Sequence, residues 1–172
     1  MTNAMTGLFW LNFTLYWVLT LARILIDPHL PERLFDPARA EFRTQRWEAG
    51  GEFYRIHLRV DRWKGYLPTF AGPNGFSKKT LATTEPDYLA RFIVETCRGE
   101  SNHVRAIVSV IGMKLWTPFD LWLFIFVIAL VGNLPFIIVQ RYNRPRLQRA
   151  LALSERRAAL ELGPGDLEPR PA

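Results

Sequence analysis

Two stretches of this chain are almost free of charge, and its polar residues are crowded into the segments between and after them. Residues 1–22 carry no charged side chain, and residues 117–140 carry only Asp120. Within the first stretch, residues 7–26 read GLFWLNFTLYWVLTLARILI, about 20 residues or about 30 Å of helix, which matches the hydrocarbon thickness of a bilayer. No basic region precedes this run and no small-residue cleavage site follows it, since Asp27-Pro28 comes next. The pattern therefore predicts an N-terminal transmembrane helix in preference to a cleaved signal peptide. The second apolar region, 104–139, is interrupted by Lys114 and Asp120. Its core, 121–139 (LWLFIFVIALVGNLPFIIV), is long enough to cross once, whereas 104–116 is short for a crossing.

Arginines decide how these regions are placed. Arg33, Arg39, Arg43 and Arg46 follow the first span, and Arg141, Arg144, Arg146 and Arg149 follow the second; such flanks favour the cytoplasm. Both want the same side, so the second region is predicted to be a hairpin, with 104–116 as a re-entrant or short tilted arm and the turn at Thr117-Pro118. A helix lying flat on the interface is the alternative, and it leaves the charge conflict standing.

The polar segment 27–103 is punctuated at Pro28, Pro31, Pro37 and Gly50-Gly51. In 53–60, Tyr54, Ile56, Leu58 and Val60 alternate with Arg55, His57 and Arg59, the period-two pattern of a half-buried strand. Gly72-Pro73-Asn74-Gly75 predicts a turn. Thr84 then serves as the N-cap of a helix with Pro86 in its first turn, running to about His103 with a stripe of Tyr88, Leu89, Phe92 and Ile93. After the second span, Asn143 is placed to cap a basic amphipathic helix from Pro145 to before Gly163-Pro164. There Arg146, Arg149, Arg156 and Arg157 are interleaved with leucines, which suits a membrane surface. The rest, to Ala172, reads as a disordered tail. The expected architecture is a mainly α-helical integral membrane protein forming a single membrane domain over 1–172. Its parts are a transmembrane helix (7–26), a cytoplasmic segment with one short strand and an amphipathic helix (27–103), a membrane hairpin (104–139), and a basic helix with its tail (140–172).

Composition adds little until it is located. The net charge of +6 would suit nucleic acid, but the basic residues sit just beyond apolar spans, where anionic head groups attract them. Membrane lipids, not nucleic acid, are the expected partners. The one cysteine, Cys97, can form neither an intrachain disulfide nor a cysteine zinc site.

The candidate chemistry lies at the membrane boundary. Glu100 and His103 stand three apart and share a helix face, so the carboxylate can orient the imidazole and favour its protonated form. A histidine near neutrality can take a proton from a hydroxyl, as direct acyl transfer to an alcohol requires. The same residues also read as a solvated helix end whose charges pair at the surface. Glu-x-x-His pairs occur at carboxylate-bridged metal sites, but those need two such pairs and further carboxylates, so no metal is expected. Arg141, Arg144 and Arg146 fall within six residues and can grip phosphate bidentately, or simply anchor the span. Trp63 and Lys64 form a smaller patch, and Asn133 lies inside the apolar span, where an amide needs a partner.

These residues carry a resemblance. QRYNRPRL at 140–147, preceded by NLPFIIV at 133–139, resembles the C-terminal signature of the glycosyl-4,4'-diaponeurosporenoate acyltransferase family, small membrane proteins of bacterial carotenoid biosynthesis. RWKGYLP at 62–68 is similar to that family's RWK-x-x-LP element, and Glu95-Thr96-x-Arg98-x-Glu100-x-x-His103 to its helix motif, in the same order. The likeness spans roughly 47–151. One position departs, Val104, where family members often carry Trp. The resemblance implies the last step of staphyloxanthin formation, esterification of a fatty acyl group, from acyl-CoA, to a sugar hydroxyl of a glycosylated carotenoid or similar glycolipid. It implies a multi-pass protein of the bacterial inner membrane with its active face cytoplasmic. His103 is then the expected base and Glu100 its orienter, with Glu95 and Arg98 holding the helix end. Arg141, Arg144, Arg146 and Lys64 are expected to meet donor phosphates, with Asn143, Trp63 and Asn133 lining the substrate site. No serine is paired with a base, so direct transfer without a cofactor is expected, with Cys97 as the covalent alternative. The rival readings are a non-enzymatic membrane scaffold or assembly subunit and another transferase on a lipid-linked sugar. Oligomeric state is left open.

Overall fold

The structure, a computed structural model, describes residues 2–68 and 81–161. The turn expected at 72–75 and the tail expected beyond 162 lie outside the described residues. Helix α1 runs over Thr2–Ile26 and is followed by short 3-10 turns at Asp27–His29, Glu32–Phe35 and Arg46–Gly51. Helices α2 (Glu52–Leu58) and α3 (Val60–Trp63) come next, then the long helices α4 (Pro86–Gly112) and α5 (Phe119–Glu161). A 3-10 turn at Met113–Leu115 and the residues to Pro118 reverse the chain between α4 and α5.

Side-chain pairs show that α4 and α5 run antiparallel along each other. Trp122 Nε1 donates to the carbonyl of Val110 (2.9 Å), His103 meets Asn133, and Arg144 meets Thr96. The buried positions of α4 recur at helical spacing: Leu89, Phe92 and Ile93, then Thr96, Cys97 and Glu100, then Ala106 and Val110. This stripe is apolar at both ends and polar in the middle, so one face of one helix carries both core and site. Helix α1 is stitched to the same pair. Near its middle Asn12, fully buried, donates to Thr117 Oγ1 (3.0 Å) and accepts from Trp116 Nε1 (2.9 Å). At its end Arg23 donates to Ser109 Oγ (3.0 Å), and buried Asp27 pairs with Arg105.

Two helices, Asn3–His29 and Phe119–Leu160, are long and apolar enough to cross a membrane. Their outer faces are bare and apolar: Trp10, Phe13, Trp17 and Leu21 on α1, and Phe124, Val127, Ile128 and Val131 on α5 are all exposed. A contiguous apolar surface of this kind suits lipid rather than water.

Three expectations need correction. Residues 53–60 are two helical pieces broken at Arg59 (φ 48°), not a strand: Ile56 is 60% exposed, so the alternating face is not buried, and Tyr54 and Val60 are the residues that enter the core. There is no strand among the described residues to pair with, so a helix is the way this segment satisfies its own backbone groups. Helix α4 begins one residue after Glu85, with no side-chain cap from Thr84, and continues past His103 to Gly112. Glu95, Arg98, Glu100 and His103 therefore stand mid-helix. The basic C-terminal helix is not a separate element either. Pro135 and Pro145 lie inside α5, and Asn143 caps nothing. Each proline removes one backbone bond and the helix carries on, because the packing of α4 along its length holds the flanking turns.

Candidate active site

The polar layer of the bundle has two parts. The first is a buried charge network. Arg144, 1% exposed, donates through Nε to Thr96 Oγ1 (3.0 Å), through Nη1 to the carbonyl of Phe42 (2.7 Å) and through Nη2 to Glu100 Oε2 (2.5 Å). Its guanidinium lies over the Phe42 ring. Arg141 grips Glu48 with Nε and Nη2 (2.6 and 3.0 Å), and its Nη1 reaches Glu100 Oε1 (2.7 Å). The carbonyls of Glu41 and Arg43 take its remaining hydrogens, each at 3.2 Å. Glu48, 1% exposed, also accepts from Tyr54 Oη and from the backbone N–H of Gln45. Burial alone would raise the Glu48 pKa, but the hydrogen bonds from Arg141, Tyr54 and Gln45 outweigh it and hold the carboxyl below its usual range.

This arrangement gives several of the expected site residues partners within the protein. Arg141 and Arg144, expected to meet donor phosphates, have their guanidinium groups on the protein's own acceptors. Glu100, expected to orient His103, has both oxygens committed to those two arginines. The network ties α4 and α5 to the loop residues 41–48, and Gly51 completes the joint: its φ is +98°, and a Cβ there would stand 3.1 Å from the carbonyl of Tyr142.

The second part is the imidazole. His103 Nδ1 lies 2.9 Å from Asn133 Oδ1, and its ring stacks on Phe136 at 4.6 Å with an interplanar angle of 11°. Asn133 is itself buried, and its Nδ2 donates to Tyr16 Oη (3.0 Å) and to the carbonyl of Ala129 (2.7 Å). Three helices, α1, α4 and α5, thus converge on one histidine. The structure brings together His103 and Asn133, which the sequence placed in different roles, and adds Tyr16, which it did not single out. Glu95 and Arg98 pair with each other on α4, with the Arg98 guanidinium over the Phe35 ring.

Cys97 is fully buried beside Phe35 and Phe42, and burial pushes its thiol up to about 11. A thiol that neutral and that enclosed is a packing residue, not a nucleophile. Trp63 donates to the carbonyl of Leu58 (2.8 Å) and packs with the Tyr54, Val60 and Tyr142 cluster.

Lys64 and Arg146 keep a different character. Both cations lie over the Tyr142 ring, at 5.0 and 4.8 Å from its centroid. Lys64 also donates to Asn143 Oδ1 (3.3 Å), and Arg146 to Tyr142 Oη (2.9 Å). Burial, then the neighbouring Arg146, lower the Lys64 pKa from its ordinary value. Two cations crowded on one ring would be relieved by an anion.

The comparisons with known proteins agree on one family. The model of the family described as glycosyl-4,4'-diaponeurosporenoate acyltransferase matches residues 31–153. Relatives of that same name from two strains of Staphylococcus aureus are 30% identical over 147 residues, which covers 84% of this chain and 88% of theirs. No solved structure matches the chain.

Proposed function

The chain belongs to the glycosyl-4,4'-diaponeurosporenoate acyltransferase family, and from that premise we propose that this acyltransferase esterifies a fatty acyl group, carried by acyl-CoA, to a sugar hydroxyl of a glycosylated carotenoid or similar glycolipid. The observation that carries the reading is His103, held against Asn133 and Phe136 where three helices meet. His103 takes the proton from the attacking sugar hydroxyl as the oxygen bonds to the acyl carbon. The carbon–sulfur bond of the thioester then breaks, and the leaving thiolate takes that proton back from the imidazolium. Direct transfer is favoured because Cys97 is enclosed and its thiol stays protonated.

The donor phosphates fit the cations that are not consumed by the internal network. Lys64 and Arg146, which share the Tyr142 ring, form a half-exposed basic shelf on the flank of α5, with Asn143 beside Lys64. The apolar acyl chain and the carotenoid tail would remain in the bilayer alongside α1 and α5. In this reading the chain is multi-pass, with residues 27–103 and 140–161 on the cytoplasmic side of a bacterial inner membrane and the turn at 113–118 on the other.

The test is a cell that makes a glycosylated carotenoid, grown with and without this protein, with pigments and glycolipids resolved by mass. The expected result is a set of species heavier than the glycoside by a fatty acyl group minus water, present only with the protein. An unchanged profile in a cell holding both substrates, with the protein inserted, contradicts the reading and favours a scaffold.

A further inference from the structure

Asn133 is pinned by a partner that cannot change role. The carbonyl oxygen of Ala129 only accepts, so the atom 2.7 Å from it must be the amide nitrogen of Asn133. That nitrogen has a second hydrogen, which is directed at Tyr16 Oη, 3.0 Å away. The amide oxygen is left facing His103 Nδ1 at 2.9 Å, and an amide oxygen also only accepts. His103 Nδ1 must therefore carry the hydrogen. In the neutral ring the lone pair then lies on Nε2.

We infer that Asn133 and Tyr16 are positioning residues for the acyl transfer: they hold His103 in the Nδ1–H tautomer and so make Nε2 the atom that takes the acceptor's hydroxyl proton. This rests on the reading of His103 as the base. The stack on Phe136 fixes the plane of the ring, and the amide fixes which nitrogen is which, the division of labour by which an orienting group serves a catalytic histidine. Tyr16 stands on α1, so the N-terminal helix does more than cross the membrane. It supplies the hydroxyl that accepts the second amide hydrogen and keeps the amide from rotating away.

The tautomer can be read without activity. Protein with 15N in its histidine rings is placed in lipid nanodiscs, and the His103 signals are identified by their absence in His103→Gln. At a pH where the ring is neutral, the wild type should show a pyrrole-like Nδ1 and a pyridine-like Nε2. Asn133→Leu should mix the tautomers and lower kcat on the order of 10²-fold, as for a misplaced catalytic group, with the donor KM little changed. Asn133→Asp keeps the side-chain volume and an acceptor for Nδ1. It should keep the tautomer and move the acid limb of the kcat profile to higher pH, because the carboxylate stabilises the imidazolium. It also serves as the reporter should Asn133→Leu fail to insert. Tyr16→Phe should lower kcat several-fold and partly mix the tautomers. An Nε2–H ring in the wild type overturns the assignment even if His103→Gln is inactive. Wild-type tautomer and kcat in Tyr16→Phe remove Tyr16 from it, and an unshifted acid limb in Asn133→Asp overturns the role of Asn133. An Nδ1–H ring with full activity in His103→Gln overturns instead the catalytic reading on which this one rests.

Discussion

Arg144 and Arg146 lie two residues apart on α5 and face different fates. Arg144 is buried with three directed bonds to Thr96, Phe42 and Glu100, and removing one partner of a buried pair costs about 3–5 kcal/mol. Arg144→Met should therefore lower the melting temperature sharply in detergent. Arg146→Gln should leave stability within about 0.5 kcal/mol while raising the donor KM several-fold, as should Lys64→Gln. If instead Arg144→Met melts normally and raises KM, the phosphate site lies on the network after all. Glu48 adds a pH dependence. Its carboxyl titrates below its ordinary value in the folded protein, so its contribution is present above the ordinary carboxylate range near 4.5 and is lost as pH falls through the lower folded value. Melting temperature should fall as pH drops below about 4.5, and Glu48→Gln should flatten that slope; an equal slope in both proteins would assign the acid sensitivity elsewhere. Much of this was half-legible from the residues. Helical spacing shows that Glu100 and His103 share a face, but it cannot show that Arg141 and Arg144, some 40 residues on, reach the carboxylate from another helix. His103 and Asn133 were both singled out, yet their pairing depends on the register of α4 against α5, which no local pattern encodes.

At the scale of elements, the loop residues 46–51 come close against α5. Ala49, Gly50 and Gly51 have φ of 47°, 65° and 98° in succession, and Gly51 sits against the Tyr142 carbonyl and Pro145. A Cβ there meets both a conformational penalty and a contact of 3.1 Å with backbone that cannot yield cheaply. Gly51→Ala should destabilise by about 1–3 kcal/mol, read as a lower melting temperature, whereas Gly65→Ala, with nothing near its Cβ, should be close to neutral. Equal effects at the two positions would mean the joint is not what holds α2 on α5. The Gly-Gly pair was visible in the sequence as a break. The helix after it was not, since Tyr54, Ile56, Leu58 and Val60 mimic a strand, and only the lack of a partner strand among the described residues and the burial of Tyr54 against Glu48 decide for helix. The prolines misled in the same way: Pro145 suggested a helix start, but one lost backbone bond in a helix packed along its length does not end it.

The whole molecule reads more directly, because the two helices able to cross a membrane are set by length and apolarity and those are local. Helix α1 and the first half of α5 both appeared in the hydropathy pattern, and the arginine flanks pointed to one side. Labelling should follow. With Cys97 enclosed and silent, cysteines at Ala38 and Ala152, both exposed, should react with an impermeant reagent only in permeabilised cells, and one at Asn3 should react in intact cells. Reaction of the first two from opposite faces would contradict the proposed placement of the site on one side. That site is the sum of the three helices: they gather on His103, and general base catalysis by a placed side chain is worth about 10² to 10⁴ in rate. The most direct measurement is therefore the acyl transfer rate of His103→Gln, reconstituted in vesicles beside the wild type, with insertion and donor binding checked for both. A loss of at least about a hundredfold at unchanged donor binding is the predicted result; transfer at better than about a third of the wild-type rate would contradict His103 as the base.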